Sequence, residues 1–214
     1  RRQRQMCIRD RTLLAGFTCS AGAVTKGMKK VIDDALDFSV KQSMSMFNEM
    51  KDQKGILPRT AENGKMITCE SAWWTSGFYP GTLWYCYEYS NDPQIRAAAE
   101  EMTSRVEQQK YTTSNHDVGF IINCSFGNGY RLTHNETYRK VIETAAKSLS
   151  TRFHPVTGCT RSWNSKKWQF SVIIDNMMNL ELLNVASSLT GDNAYYHMAK
   201  SHADRTMINH FRPD

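Results

Sequence analysis

Two aspartates stand at the head of apolar runs, where a carboxylate is costly unless something uses it. Asp117 follows His116 in HDVGFIINCSF (116–126), and Asp175 lies between Val172-Ile173-Ile174 and Met177-Met178 in VIIDNMMNLELLNVASSL (172–189). A third apolar run, PGTLWYCYEY (80–89), is preceded by SAWWTSGFYPG (71–81), which carries Trp73, Trp74, Phe78 and Tyr79. Carboxylates on adjacent helices repel, which raises one pKa. One carboxyl held protonated beside one left ionised is the arrangement that general acid catalysis at sugars uses. Aromatic side chains on the same rim offer flat apolar faces to a sugar ring. Each residue also has a plainer role open to it. Asp117 fits a helix cap, Asp175 a structural carboxylate, His116 a cap or a core histidine, and the tryptophans a core.

These clusters must be positioned by helices, because strand signals are scarce. Residues 28–50 place Val31, Ile32, Ala35, Leu36, Met46, Phe47 and Met50 near one face. Asn91-Asp92-Pro93 supplies a cap and a first-turn proline for 94–110, striped by Ile95, Ala98, Ala99, Met102 and Val106. Thr133-x-x-Glu136 reads as a capping box that opens 135–153. Gly191-Asp192 ends the third apolar helix and caps 193–211, striped by Tyr195, Met198, Ala199, His202, Thr206 and Phe211. A helix apolar all round must be surrounded by protein, whereas a striped one faces solvent on its back. The alternation of the two kinds predicts an all-α toroid of helical hairpins, an (α/α)6 barrel present only in part, with about seven helices over 24–214. In such a toroid the inner helices run parallel, so Asp117, Asp175, His116 and the aromatics share one rim, where helix N-termini favour negative charge.

Composition narrows the alternatives. The 214 residues are 40% hydrophobic and 22% charged, ordinary for a globular protein and unlike a disordered tail or a membrane bundle. Four of the six excess positive charges sit in RRQRQMCIRDR (1–11), so the remainder lacks the basic face of a nucleic-acid binder. Six cysteines show no C-x-x-C pair, and Cys86 and Cys124 lie inside apolar runs, as buried free thiols do. His134, His154, His197, His202 and His210 are scattered without metal spacing and receive no role. No G-x-S-x-G, phosphate-cradling or dinucleotide motif is present, and no cofactor or metal is expected. Residues 1–23 read as a foreign or residual export segment: 1–11 have no periodicity, and TLLAGFTCSAGA (12–23) looks like the tail of an export signal, cleaved after Ala23 or lipidated at Cys19. A periplasmic or exported protein with no membrane span is expected, with a cytoplasmic one as the alternative.

WTSGFYPGTLWYCYEYSND, HDVGF and IIDNMMNLELL, in that order and separation, resemble the unsaturated glucuronyl hydrolases from about Trp74 to the end of the chain. The resemblance implies an (α/α)6 barrel acting on oligosaccharides that polysaccharide lyases leave with a C4=C5 double bond in the non-reducing uronic acid. It implies hydration of that vinyl ether, with Asp175 as the general acid and then the base that activates water. Asp117 is implied as the second carboxylate, His116 and Trp74 as lining for the unsaturated ring, and Trp163 as a flank for the next sugar. The family pattern also implies further inner helices, so the chain is expected to be the N-terminal portion of a longer protein. Three rivals remain: a related unsaturated rhamnogalacturonyl hydrolase, an ordinary paired-carboxylate glycosidase, and a helical-repeat scaffold that binds a glycan or peptide without turnover.

Overall fold

The computed structural model describes residues 25–212, so the segment 1–23, with its export or lipidation reading and Cys7 and Cys19, lies outside the described residues. The chain divides after Asp37 into two compact units. Of the first unit, the described part is the start of helix α1 (Lys26–Met50), which Thr25 opens by accepting from the Met28 amide. Lys29–Asp33 and Lys30–Asp34 pair one turn apart on its surface. Such exposed pairs add only about 0.3–0.5 kcal/mol each. Val31, Ile32 and Leu36, read from the sequence as part of a buried stripe, are exposed.

The second unit, Phe38–Asp214, holds the rest. After α1 come β1 (Ile56–Glu62) and β2 (Lys65–Glu70), then α2 (Phe78–Ser90) and α3 (Pro93–Ser104). A short 3-10 turn (Glu107–Tyr111) leads to α4 (Val118–Ile122), a π-type turn (Asn123–Gly127) and α5 (Asn128–Thr133). Then follow α6 (Glu136–Ser150), the two-residue strands β3 (Phe153–His154) and β4 (Cys159–Thr160), α7 (Asn176–Asn179), α8 (Glu181–Thr190) and α9 (Asn193–His210). Taking α4–α5 and α7–α8 as single interrupted rods, the described residues form seven helical rods. Three hairpins result, each an apolar inner rod followed by a striped outer one. They are α2 with α3, α4–α5 with α6, and α7–α8 with α9, the hairpin series of an α/α barrel.

Local chemistry explains most boundaries. Asp92 accepts from the Gln94 amide and Asp192 from the Ala194 amide, while Gly191 closes α8 at φ +77°. At α6 the cap is Asn135, which accepts from the Thr137 amide; Thr133 instead donates its hydroxyl back to the Gly129 carbonyl. The capping-box expectation therefore misplaced the cap by two residues. Helix α3 stops at Ser104 rather than near 110, and the third apolar rod starts at Asn176 rather than 172. Sequence reading also passed over the β1–β2 hairpin. Its signal was Asn63-Gly64, both at positive φ, the pair that a two-residue hairpin turn favours.

Successive inner rods touch along their backbones because glycine stands at the crossings. A Cβ on Gly77 would fall 2.2 Å from the Ile121 carbonyl oxygen, and one on Gly119 would fall 2.5 Å from that of Asn179. Between inner and outer rods lie two apolar clusters. One is built on Ile121, Ile122, Phe126, Val141, Ile142, Leu149, Leu182 and Leu183, the other on Met50, Leu83, Trp84 and Met102. Buried polar handles are paired inside them: the Trp84 indole donates to Thr103 Oγ1 at 2.9 Å and the Tyr79 hydroxyl to the Ser43 carbonyl at 2.8 Å. Cys69, Cys86, Cys124 and Cys159 are free thiols, and burial pushes the Cys124 thiol up to about 11. No described helix is long and apolar enough to cross a membrane.

Candidate active site

His116, Asp117 and Asp175 meet at the N-terminal ends of α4 and α7. The buried His116 places Nε2 at 3.4 Å from Asp117 Oδ1 and 3.8 Å from Asp175 Oδ2. One nitrogen and two carboxylate oxygens thus lie within 4.8 Å of one another. They are the donor types a divalent cation takes, and equally a set able to pass a proton.

The clasp that joins the two turns is made by backbone and amides. The Phe120 amide donates to Asn179 Oδ1 at 2.8 Å, which locks α4 onto α7 where Gly119 lets them approach. On the far side, Ser162 ties the same two segments. Its carbonyl accepts from the His116 amide at 2.8 Å, and its hydroxyl accepts from the Ile173 amide and from Asn176 Nδ2. Asn176 and Asn179, both fully buried, donate their side-chain amides within this frame, to the carbonyls of Thr160 and Asp175.

Neither aspartate caps its helix: no side-chain cap hydrogen bond forms at Asp117 or Asp175, in contrast to Asp92 and Asp192. The cap reading of Asp117 is thereby set aside. Burial pushes the Asp117 carboxyl above the ordinary carboxylate range. The His116 charge pulls it back, Asp175 pushes it further up, and Arg152 pulls it back. Asp175 is the more accessible of the two, with 39% of its side chain exposed against 22% for Asp117. One Asp175 oxygen, Oδ1, is buried with no hydrogen-bond partner.

Aromatic residues stand around this triad. Trp74 is 44% exposed and packs against Phe78 and Phe120, ring centres 5.8 and 6.1 Å away. Phe120 lies three residues after Asp117, which brings the SAWWTSGFYPG cluster to the same end of the inner helices. Trp163 is 39% exposed, its ring 6.1 Å from that of His116, and a β-bridge joins Asn115 to Trp163. The structure therefore brings together Asp117, Asp175, His116 and Trp163, while Trp74 packs on Phe120, about one helical turn after Asp117. Tyr79, also read as a rim aromatic, is a core residue instead, and Trp73 lies under the Arg59 guanidinium at 4.0 Å.

Two residues near the site carry more than the sequence reading assigned them. His202, counted among the scattered histidines, is fully buried and accepts from the Thr160 amide through Nδ1. Burial, then the charges of His116 and His210, hold it down at about 4. Its place in the α9 stripe, between Met198 and Thr206, was the available signal. Arg152 is also buried, and nothing local in TRFHPVTG marks it.

No family model matches the chain. It is 46% identical over 144 residues to an unsaturated glucuronyl hydrolase of Formosa agariphila, covering 66% of this chain and 36% of the relative. It is 33% identical over 177 residues to an unsaturated chondroitin disaccharide hydrolase of Streptococcus pyogenes serotype M1, covering 80% of this chain and 44% of the relative. A crystal structure of an unsaturated glucuronyl hydrolase specific for heparin superposes with a TM-score of 0.78 at 40% identity, covering 85% of this chain and 50% of that one. The chain spans less than half the length of these two curated relatives.

Proposed function

Because the chain is a relative of the unsaturated glucuronyl hydrolases in sequence and in fold, we propose that its site serves as part of a hydrolase that removes a C4=C5 unsaturated uronic acid from lyase-generated oligosaccharides. The observation that carries the reading is the meeting of Asp117, Asp175 and His116 within 4.8 Å at an aromatic rim. The relatives' names point to glycosaminoglycan products, chondroitin disaccharides and heparin fragments among them.

In this mechanism Asp175, the more exposed carboxyl, donates its proton to C4 of the unsaturated ring. Positive charge develops at C5 and the ring oxygen, next to the two carboxylates, which stabilise it. Asp175, now ionised, takes a proton from the water that adds at C5. The hemiketal so formed opens and releases the second sugar. Asp117 shares the negative charge, and its burial, which raises its pKa, favours keeping a proton within the pair. His116 stands between them, with Nε2 at 3.4 Å from Asp117 Oδ1 and 3.8 Å from Asp175 Oδ2. Trp74 and Trp163 flank the unsaturated ring and its neighbour.

The same spacing favours one second reading. Inverting glycosidases need carboxyl groups about 6.5–9.5 Å apart to admit a water, and retaining ones about 5–5.5 Å. Oxygens within 4.8 Å leave the retaining hydrolase of saturated glycosides as the competitor. The test follows the ultraviolet absorbance of the double bond with unsaturated disaccharides from lyase-treated chondroitin or heparin, using the intact protein. Loss of absorbance with release of the second sugar supports hydration. Turnover of saturated glycosides with the double bond untouched overturns it.

A further inference from the structure

A cavity of about 520 Å³ opens beside the candidate site, lined by Arg152, His154, Arg161, Asn164, Gln169 and Phe170 among others. None of its lining residues is acidic. Its floor holds an arginine in an unusual position. Arg152 is 7% exposed, yet no carboxylate of the described residues lies within ion-pair distance of it. Its guanidinium donates to two backbone carbonyls, those of Arg161 through Nε and of Thr113 through Nη1. The remaining nitrogen, Nη2, is buried without a partner. Arginine is almost never buried unless paired, because an uncompensated charge away from water costs several kcal/mol.

The neighbouring charges deepen the imbalance. Burial pushes the Arg152 pKa below the ordinary arginine value, the Arg161 cation pushes it further, and Asp117 alone pulls it back. Arg161 spends one nitrogen on the Trp163 carbonyl at 3.2 Å. Asn164 and Gln169 contribute amides to the lining, and the loop between them adds the exposed Lys166 and Lys167. An oxyanion answers each of these features: its charge offsets the two cations, and its oxygens accept from the nitrogens that Arg152 and Arg161 leave unspent and from the amides.

We propose that the cavity framed by Arg152, Arg161, His154, Asn164 and Gln169 is an oxyanion-binding site, built for a sulfate or carboxylate group. Two of its lining residues, Arg161 and Asn164, lie close in the chain to Trp163, whose ring centre is 6.1 Å from that of His116. If the group belongs to the substrate, a step that rests on the proposed function, it hangs from the sugar beyond the unsaturated ring.

The test titrates inorganic sulfate into the intact protein and follows binding by calorimetry and by the rise in unfolding temperature. Arg161→Gln is expected to weaken binding at least tenfold, with Gln169→Leu, an exposed position, as the second variant and Lys140→Gln on α6 as a control that changes nothing. Binding that is absent, or that Arg161→Gln and Gln169→Leu both leave unaltered, overturns the site. Two further arms separate the sources of the anion. A preference of about tenfold for a sulfated over an unsulfated lyase disaccharide, lost in Arg161→Gln, assigns the site to substrate; sulfate binding without that preference assigns it to a free ion. The sulfate titration reads no turnover, so failure of the hydration reading leaves it standing, and its own failure leaves hydration standing.

Discussion

Gly119→Ala tests whether the contact between α4 and α7 is what assembles the site. A Cβ there would lie 2.5 Å from the Asn179 carbonyl oxygen, 2.6 Å from its Cα and 2.7 Å from Oδ1. Ordinary contact begins at 3.4 Å, so the two turns must part by roughly 1 Å, against backbone that cannot rotate away. Overpacking of this kind costs about 1–3 kcal/mol, and losing the Phe120 amide bond to Asn179 about 1 more. The same displacement separates Asp117 from Asp175, and a misplacement of about 1 Å at reacting groups costs on the order of 100-fold in rate. The expected result is a fall of that size in kcat for the unsaturated disaccharide, read by double-bond absorbance, with a lowered urea midpoint. Gly27→Ala is the contrast: nothing lies within 4 Å of that Cβ on the solvated start of α1, and stability should rise by about 0.5–1 kcal/mol. A Gly119→Ala protein with wild-type kcat and an unshifted midpoint would show that the carboxylates do not depend on this crossing.

Three further expectations follow from the same geometry. Asp175→Asn should abolish turnover while disaccharide binding, measured by calorimetry, stays within a few-fold; near-normal kcat would remove Asp175 from the chemistry. Asp117 binds its proton more tightly folded than unfolded, so this group makes stability fall as pH rises from about 3.9 through its raised value; Asp117→Asn should lose that slope and be more stable than wild type at neutral pH in chemical denaturation. His202 runs the other way: held at about 4 against 6.5, it contributes stability that is present above 6.5 and lost as pH falls toward 4, about 3 kcal/mol in all, and His202→Gln should flatten that part of the pH–stability curve.

Features set by neighbouring residues are legible in the sequence. The caps at Asp92 and Asp192 need only a side chain reaching two residues along the chain, and the αL glycine at 191 needs only its own backbone. The alternation of all-apolar and striped helices is a property of composition along each segment. It is sufficient for the hairpin series, and Asp117 and Asp175 stand out because they interrupt apolar runs. Where two local signals competed, the outcome was harder to foresee: Thr133 and Asn135 both offered an oxygen to the start of α6, and Asn135 holds it because Thr133 still belongs to the turn of α5.

Only the tertiary structure decided what those aspartates face. Asp117 and Asp175 are 58 residues apart, and their approach depends on a glycine on one helix, an asparagine amide on the next and a serine between them. The burial of Arg152 and His202 is set by the β3–β4 turn folding onto α9, through the Thr160 amide and the Arg161 carbonyl. The residue types and their order along each helix lie in the chain itself. Distance across the barrel, and with it the desolvation that raises the Asp117 pKa and leaves Arg152 without a counter-charge, exists only once the hairpins are packed side by side.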